Sequence, residues 1–164
     1  MTLATVTPLK RVSILATEGV FASTLLQAKD FFHMASLRYG KQLGLGLTPS
    51  FEIHLVSPDG LPVRSFSNVM IPVDGHLDDA DVIILPAFWD DFDALCARHP
   101  QVLTWLGERH GAGAAICGEA TGVFWMAQSG LLDGKEATTY WRFFNEFAER
   151  FPRVLLNQEK HLSD

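Results

Sequence analysis

Little in these 164 residues would hold a metal, span a membrane or grip a nucleic acid. No apolar run approaches the ~20 residues of a membrane-spanning helix. The N-terminal MTLATVTPLK has neither the apolar segment of a secretory signal nor the character of a transit peptide, so a soluble, cytoplasmic protein is expected. There are only two cysteines, Cys96 and Cys117, without CxxC or Cys/His ligand spacing, and they read as reduced, buried thiols. His33, His54, His76, His99, His110 and His161 show no HxH, HxxxH or HExxH spacing, so neither a metal nor a cofactor is expected. Thirteen Lys and Arg face nineteen Asp and Glu, for a net charge of −6, and no basic stripe forms. Such a surface gives phosphate backbones little to hold, so DNA would have to be reached through another segment.

What remains is an ordinary globular composition, 48% hydrophobic and 20% charged, at a length that suits one domain burying roughly 70% of its unfolded surface. Strand signals alternate with helical ones, the pattern of a parallel sheet covered on both faces. Val12 to Ala16, Phe51 to Ser57, Asp81 to Leu85 and Ala114 to Cys117 read as strands, the last two as central ones. Val63 to Phe66 and Val69 to Val73 read as a small hairpin around Ser67-Asn68. Helices are expected over Thr24 to Tyr39, Asp91 to His110 with a break at Pro100, Val123 to Gln128, and Thr138 to Arg150, with another strand from Arg153 to Leu156. The segment KQLGLGLTPS reads as a loop.

The richest stretch is Gly113 to Trp141, GAAICGEATGVFWMAQSGLLDGKEATTYW, which reads as a strand, a tight turn and a helix starting at the turn. Gly118 and Gly122 permit close backbone approach. A side chain on such an elbow sits at a helix N-terminus, where a thiolate or oxyanion would be favoured. Ala120 occupies that place, and it can neither attack nor transfer a proton.

The same residues resemble the ThiJ/PfpI branch of the class I glutamine amidotransferase-like superfamily, and more narrowly the N-terminal domain of AraC-type transcriptional regulators. The resemblance is carried by Thr121-Gly122, the apolar helix, Gly130-Leu131-Leu132-Asp133-Gly134, Ala137-Thr138-Thr139, Trp141-Arg142-Phe143 and Arg150-Phe151-Pro152-Arg153-Val154. It implies a flavodoxin-like three-layer α/β sandwich with a mostly parallel central sheet. The family's elbow cysteine aligns with Ala120 and the histidine of its ATTHW motif with Tyr140. Its Pro-Gly-Gly, whose amides could form an oxyanion hole, aligns with Pro86-Ala87-Phe88, and its acid near the cysteine with Asp30. The resemblance further implies a dimer, and helix-turn-helix motifs following this domain. Residues 1–164 thus read as a single sensor domain lacking its last strand and helix and the DNA-binding part.

The expected function is a non-catalytic ligand-sensing and dimerisation domain. A small-molecule effector, a small anion or carboxylate, would sit in an elbow crevice lined by Asp30, Phe88, Glu119, Ala120, Thr121 and Tyr140. Glu119 faces either the pocket or solvent, and Tyr140 either lines the pocket or packs at a helix start. On the helix around Asp30, Leu25, Ala28, Phe32 and Ala35 form a core face, while Phe31 and Met34 form a second face that is a subunit contact or the seat of a neighbouring loop. Two rivals remain. A ThiJ/PfpI-type hydratase, glyoxalase or amidase-like enzyme needs a nucleophile; a purely structural dimerisation module would have its pocket filled by Phe88 and Trp89.

Overall fold

The computed structural model describes residues 10–42 and 51–163; most of the KQLGLGLTPS loop lies outside them. The main sheet has four parallel strands, β1 (Lys10–Leu15), β2 (Phe51–Val56), β5 (Val82–Leu85) and β6 (Ala115–Gly118), in the order β2-β1-β5-β6. This is the flavodoxin-like arrangement, with the order reversing between β1 and β5. A short antiparallel hairpin, β3 (Val63–Arg64) and β4 (Met70–Ile71), turns through Asn68 at φ 63°.

Alternation along the strands sorts the core into two layers. Val12, Ile14, Ile53, Leu55 and Ile84 pack with Leu25 and Ala28 of helix α1 (Ala22–Gln42) and with the hairpin's Val63 and Ile71. Their neighbours Leu15, Val56, Ile83 and Leu85 face the opposite way, onto α2 (Phe92–Arg98), α3 (Gln101–Gly111), α4 (Val123–Gln128) and α5 (Phe144–Arg150). Pro100 divides α2 from α3, and Asp91 caps α2 by accepting from the Ala94 N–H at 3.1 Å. No helix among the described residues is long and apolar enough to cross a membrane, and no group of three or more His, Cys, Asp or Glu there could hold a metal.

Several expectations change. β6 is the outer strand of the sheet among the described residues, not a central one, so Ala115 and Cys117 are exposed and Cys117 is no buried thiol; Cys96 is half-buried. On α1, Ala35 is exposed and Ser36 takes the buried position, its hydroxyl accepting the Phe51 N–H at 2.9 Å. The last helix starts later than its pattern predicts. Thr138 to Tyr140 stay non-helical, a 3₁₀ turn spans Trp141–Phe143, and α5 follows. Thr139 is held out of the helix by its hydroxyl, which donates to the Ala120 carbonyl at 2.9 Å. The final strand β8 (Leu155–Leu156) pairs with β7 (Glu136–Ala137) in a separate parallel ladder rather than joining the main sheet.

Candidate functional site

The carboxyl ends of β1, β5 and β6 gather three loops, which is where open parallel sheets place their ligands. The elbow follows β6. Ala120 has φ 48°, a left-handed conformation that costs a residue with a Cβ roughly 1 kcal/mol. A 3₁₀ turn over Ala120–Gly122 then leads into α4. The turn is wedged against β5: a Cβ on Gly122 would meet the Leu85 carbonyl oxygen at 1.9 Å, and one on Gly118 would meet Val123 backbone at 2.9 Å. The Glu119 N–H donates to the Leu85 carbonyl at 2.9 Å and fixes the strand end.

Several of the donors around the elbow are already engaged. The Thr121 hydroxyl, buried, accepts from the Phe88 N–H at 2.8 Å and donates to the Phe88 carbonyl at 2.7 Å. The Trp89 N–H donates to the Gly19 carbonyl at 2.9 Å, the Gly122 N–H to the Glu119 carbonyl at 2.8 Å, and the Val123 N–H to carbonyls of the turn. The 3₁₀ turn spends the Gly122 and Val123 amides on its own carbonyls, a pattern that does not consume its first two amides, those of Ala120 and Thr121. The half-buried Glu119 carboxylate beside the elbow weighs against an anion there. An anion or carboxylate effector at the elbow would thus have the first amides of the turn in its favour and the Glu119 carboxylate against it.

Burial pushes the Glu119 carboxyl above its ordinary 4.5. The Cys117 thiol, on an exposed residue but partly desolvated by the packing around it, is raised by that desolvation and then by the Glu119 charge, and Cys96 is pushed up to about 11 by burial, so neither thiol is activated. For Glu119 the sign is definite. A carboxyl with a raised folded-state pKa favours the native state below its unfolded value and loses that contribution as pH rises through the folded one. Glu119→Gln is expected to melt higher than the parent at neutral pH, with the gap closing towards pH ~4. Parallel melting curves that keep one constant gap across this range would contradict the burial of this carboxyl.

Beside the elbow lies a cleft of about 480 Å³, walled by Phe88, Trp89, Phe92, Phe124 and Phe143, with Thr121, Asp90, Asp91, Arg142 and Glu146 supplying polar groups. Phe88 is buried, its ring 5.7 Å from Phe92 and 6.4 Å from Trp125, so it forms the cleft's wall and leaves the space open. Trp89 stands at the rim, 5.4 Å from Phe143, with the Arg142 guanidinium 5.5 Å over its ring.

Of the six sequence-selected residues, the cleft brings together Phe88 and Thr121. Ala120 and Glu119 lie at the elbow itself. Tyr140 is 39% exposed, with its ring against Trp141 and Phe143. Asp30 is exposed on α1: with Leu25, Ala28 and Ser36 turned to the sheet, helical geometry sends residue 30 outward. The acid at the end of β1 is Glu18, which pairs with His99 at 3.1 Å and Arg98 at 3.6 Å. The sequence signals for the missed residues were local ones, the Phe88-Trp89-Asp90-Asp91 run after β5 and the i, i+4 pair Arg142 and Glu146.

No protein-family model matches the chain. It is 32% identical over 112 residues to the HTH-type transcriptional regulator CdhR of Pseudomonas aeruginosa, covering 66% of this chain and 32% of that one. It is 29% identical over 150 residues to an uncharacterised Streptomyces lividans protein in the cpoL 5′ region, covering 87% of this chain and 95% of that one. The chain thus spans about a third of the length of CdhR. Among solved structures, a putative transcriptional regulator from Vibrio parahaemolyticus superposes with TM-score 0.78 at 22% identity, covering 93% of this chain and 78% of that one. An AraC family transcriptional regulator from Pseudomonas putida gives 0.67 at 18% identity over 90% and 76%, and Drosophila melanogaster DJ-1beta gives 0.70 at 17% over 96% and 78%. At these identities the structural likeness establishes the fold, and the sequence matches supply the regulators. This chain has the DJ-1/ThiJ/PfpI fold and is similar in sequence to HTH-type transcriptional regulators, the combination expected of the ThiJ/PfpI domain of an AraC-type regulator.

Proposed function

We propose that this chain is a non-catalytic, ligand-sensing and dimerising domain of an AraC-type transcriptional regulator, and that DNA is contacted by a separate helix-turn-helix segment. The observation that carries the reading is Ala120 at φ 48°. The strained turn that would display a nucleophile is kept, while the residue on it has no chemistry and the neighbouring Phe88 and Trp89 amides are tied up inside the protein. A cleft of about 480 Å³ lies within the usual range of small-molecule pockets and favours a sensor over a purely structural module.

The test has two arms. Glyoxal, nitrile and amide substrates should show no turnover, and turnover that disappears in Cys117→Ala would restore the enzyme reading. A small-molecule thermal-shift screen should return binders whose shift is lost when Trp89→Ala and Arg142→Ala open the cleft's rim. Hits that bind this double variant as well as the parent would place the effector elsewhere.

A further inference from the structure

Helix α2 carries Phe92 into the cleft and follows directly on the rim residues Trp89, Asp90 and Asp91. Two adjacent residues of the loop after β1, Glu18 and Gly19, touch its two ends. At the near end Gly19 adopts a left-handed φ of 73°, and its carbonyl accepts the Trp89 N–H at 2.9 Å. A Cβ there would meet the Trp89 carbonyl oxygen at 2.7 Å and the Asp90 Cβ at 2.9 Å, so glycine lets the loop close on the rim. At the far end the Glu18 carboxylate meets Nε2 of His99, the C-cap of α2, at 3.1 Å, and the Arg98 guanidinium at 3.6 Å. The His99 side chain is 7% exposed, so the contact is largely shielded from water on the histidine's side. The loop is itself anchored: the Gly19 N–H donates to the Arg64 carbonyl at 3.0 Å, the Phe66 N–H to the Val20 carbonyl at 2.9 Å, and the Phe21 N–H to the Ala87 carbonyl at 2.9 Å.

We infer that Glu18 is a positioning residue of the cleft, acting through His99 and α2. The inference rests on the cleft being the ligand site, as proposed above. Helix α2 has seven residues and buries only Phe92 and Leu95, three positions apart, which leaves it free to slide or roll unless its ends are held. From the α5 side, Arg150 reaches Asp93 and lies 5.1 Å over the Phe92 ring, a grip on the first turn. Glu18 supplies the side-chain grip at the other end, while Gly19 fixes the chain entering the helix. The consequence falls on Phe92, whose ring stacks on Phe88 at 5.7 Å and meets Phe124 and Trp125 edge to face at 5.5 and 5.0 Å. With the far end released, the aromatic wall is complete in a smaller fraction of molecules, and apparent affinity for an occupant falls by that fraction.

Fluorescence titration with N-phenyl-1-naphthylamine, an uncharged aromatic probe that brightens in apolar surroundings, together with amide hydrogen exchange, tests the role. The parent should bind the probe, and the Trp89→Ala, Arg142→Ala double variant should not. Glu18→Ala should bind it about tenfold more weakly, as it would if the complete cleft fell to about one molecule in ten. Its α2 amides should exchange faster while those of α3 keep their rate. His99→Ala, which cuts the contact from the other side, should match it. Glu18→Gln keeps an acceptor for His99 and should restore most of both properties. Ile53→Val thins the core on the opposite face of the sheet and should leave the probe's affinity unchanged, which separates positioning from a general loss of stability. Glu18→Ala and His99→Ala that bind as tightly as the parent, or a weakening that Ile53→Val reproduces, overturn the inference and leave the cleft reading standing. A parent that fails to bind the probe, or that binds it equally well after the rim is opened, overturns both.

Discussion

Gly122→Ala is expected to be the most damaging single methyl group that can be added to this protein. The new Cβ would lie 1.9 Å from the Leu85 carbonyl oxygen, 2.7 Å from its carbon and 2.9 Å from the Pro86 oxygen. All three atoms are backbone at the end of β5, so no side chain can swing aside. Either α4 moves off the sheet or β5 and β6 separate, and the second route breaks the Glu119 to Leu85 hydrogen bond. A loss of about 3 kcal/mol or more is expected, at or beyond the upper end for overpacking. Gly107→Ala is the matched control. It lies inside α3 with nothing within 4 Å of its added Cβ, and it should stabilise by up to about 1 kcal/mol. Urea unfolding of the pair gives the answer. Equal midpoints would mean that the elbow helix does not rest on β5 as described.

Phe124→Ala should cost about as much for the opposite reason. Phe124 is 2% exposed and meets Phe92, Phe143, Phe147 and Phe151 edge to face, at centroid distances of 5.5, 6.1, 5.1 and 5.7 Å. It joins α4 to α2, to the turn before α5 and to α5 itself. Truncation removes the buried ring and leaves a void between helices that are anchored elsewhere, for an expected 3–5 kcal/mol, or a fall in Tm of roughly 10 °C. Because the ring also walls the cleft, the void should open into it. A variant that remains folded at low temperature should then accept larger thermal-shift hits than the parent. A Tm within a degree or two of the parent would show that the aromatic cluster is not the support of this half of the core.

The chain's similarity to regulators bears on how these effects would be read in a cell. Variants such as Phe124→Ala would lower the amount of folded protein as well as alter its cleft, so a cellular phenotype alone could not separate the two.

Local pattern was enough for much of this architecture. Apolar alternation and Pro/Gly punctuation located β1, β2, β5, the hairpin at Asn68 and the break at Pro100, because each depends on neighbours within a few residues. The elbow was legible for the same reason: Gly118, Ala120 and Gly122 share one turn, and an alanine announces the loss of a nucleophile wherever it is placed. Whatever depends on distant segments was decided by the tertiary structure. Asp30 and Glu18 are both acids near the start of the chain, and only helix phase and strand order show that one faces solvent and the other meets His99. Cys117 reads as buried until β6 takes the outer place in the sheet. An anion site at a helix start is a fair reading of sequence, but whether its amides are open depends on the 3₁₀ turn and on the Thr121 hydroxyl, which reaches back 33 residues to Phe88. The sequence alone therefore determined the class of fold and the absence of a nucleophile at the elbow, both matters of local periodicity and residue identity. The location of the cleft and the availability of each polar group followed only from packing, because they depend on which loops the parallel sheet brings to one end.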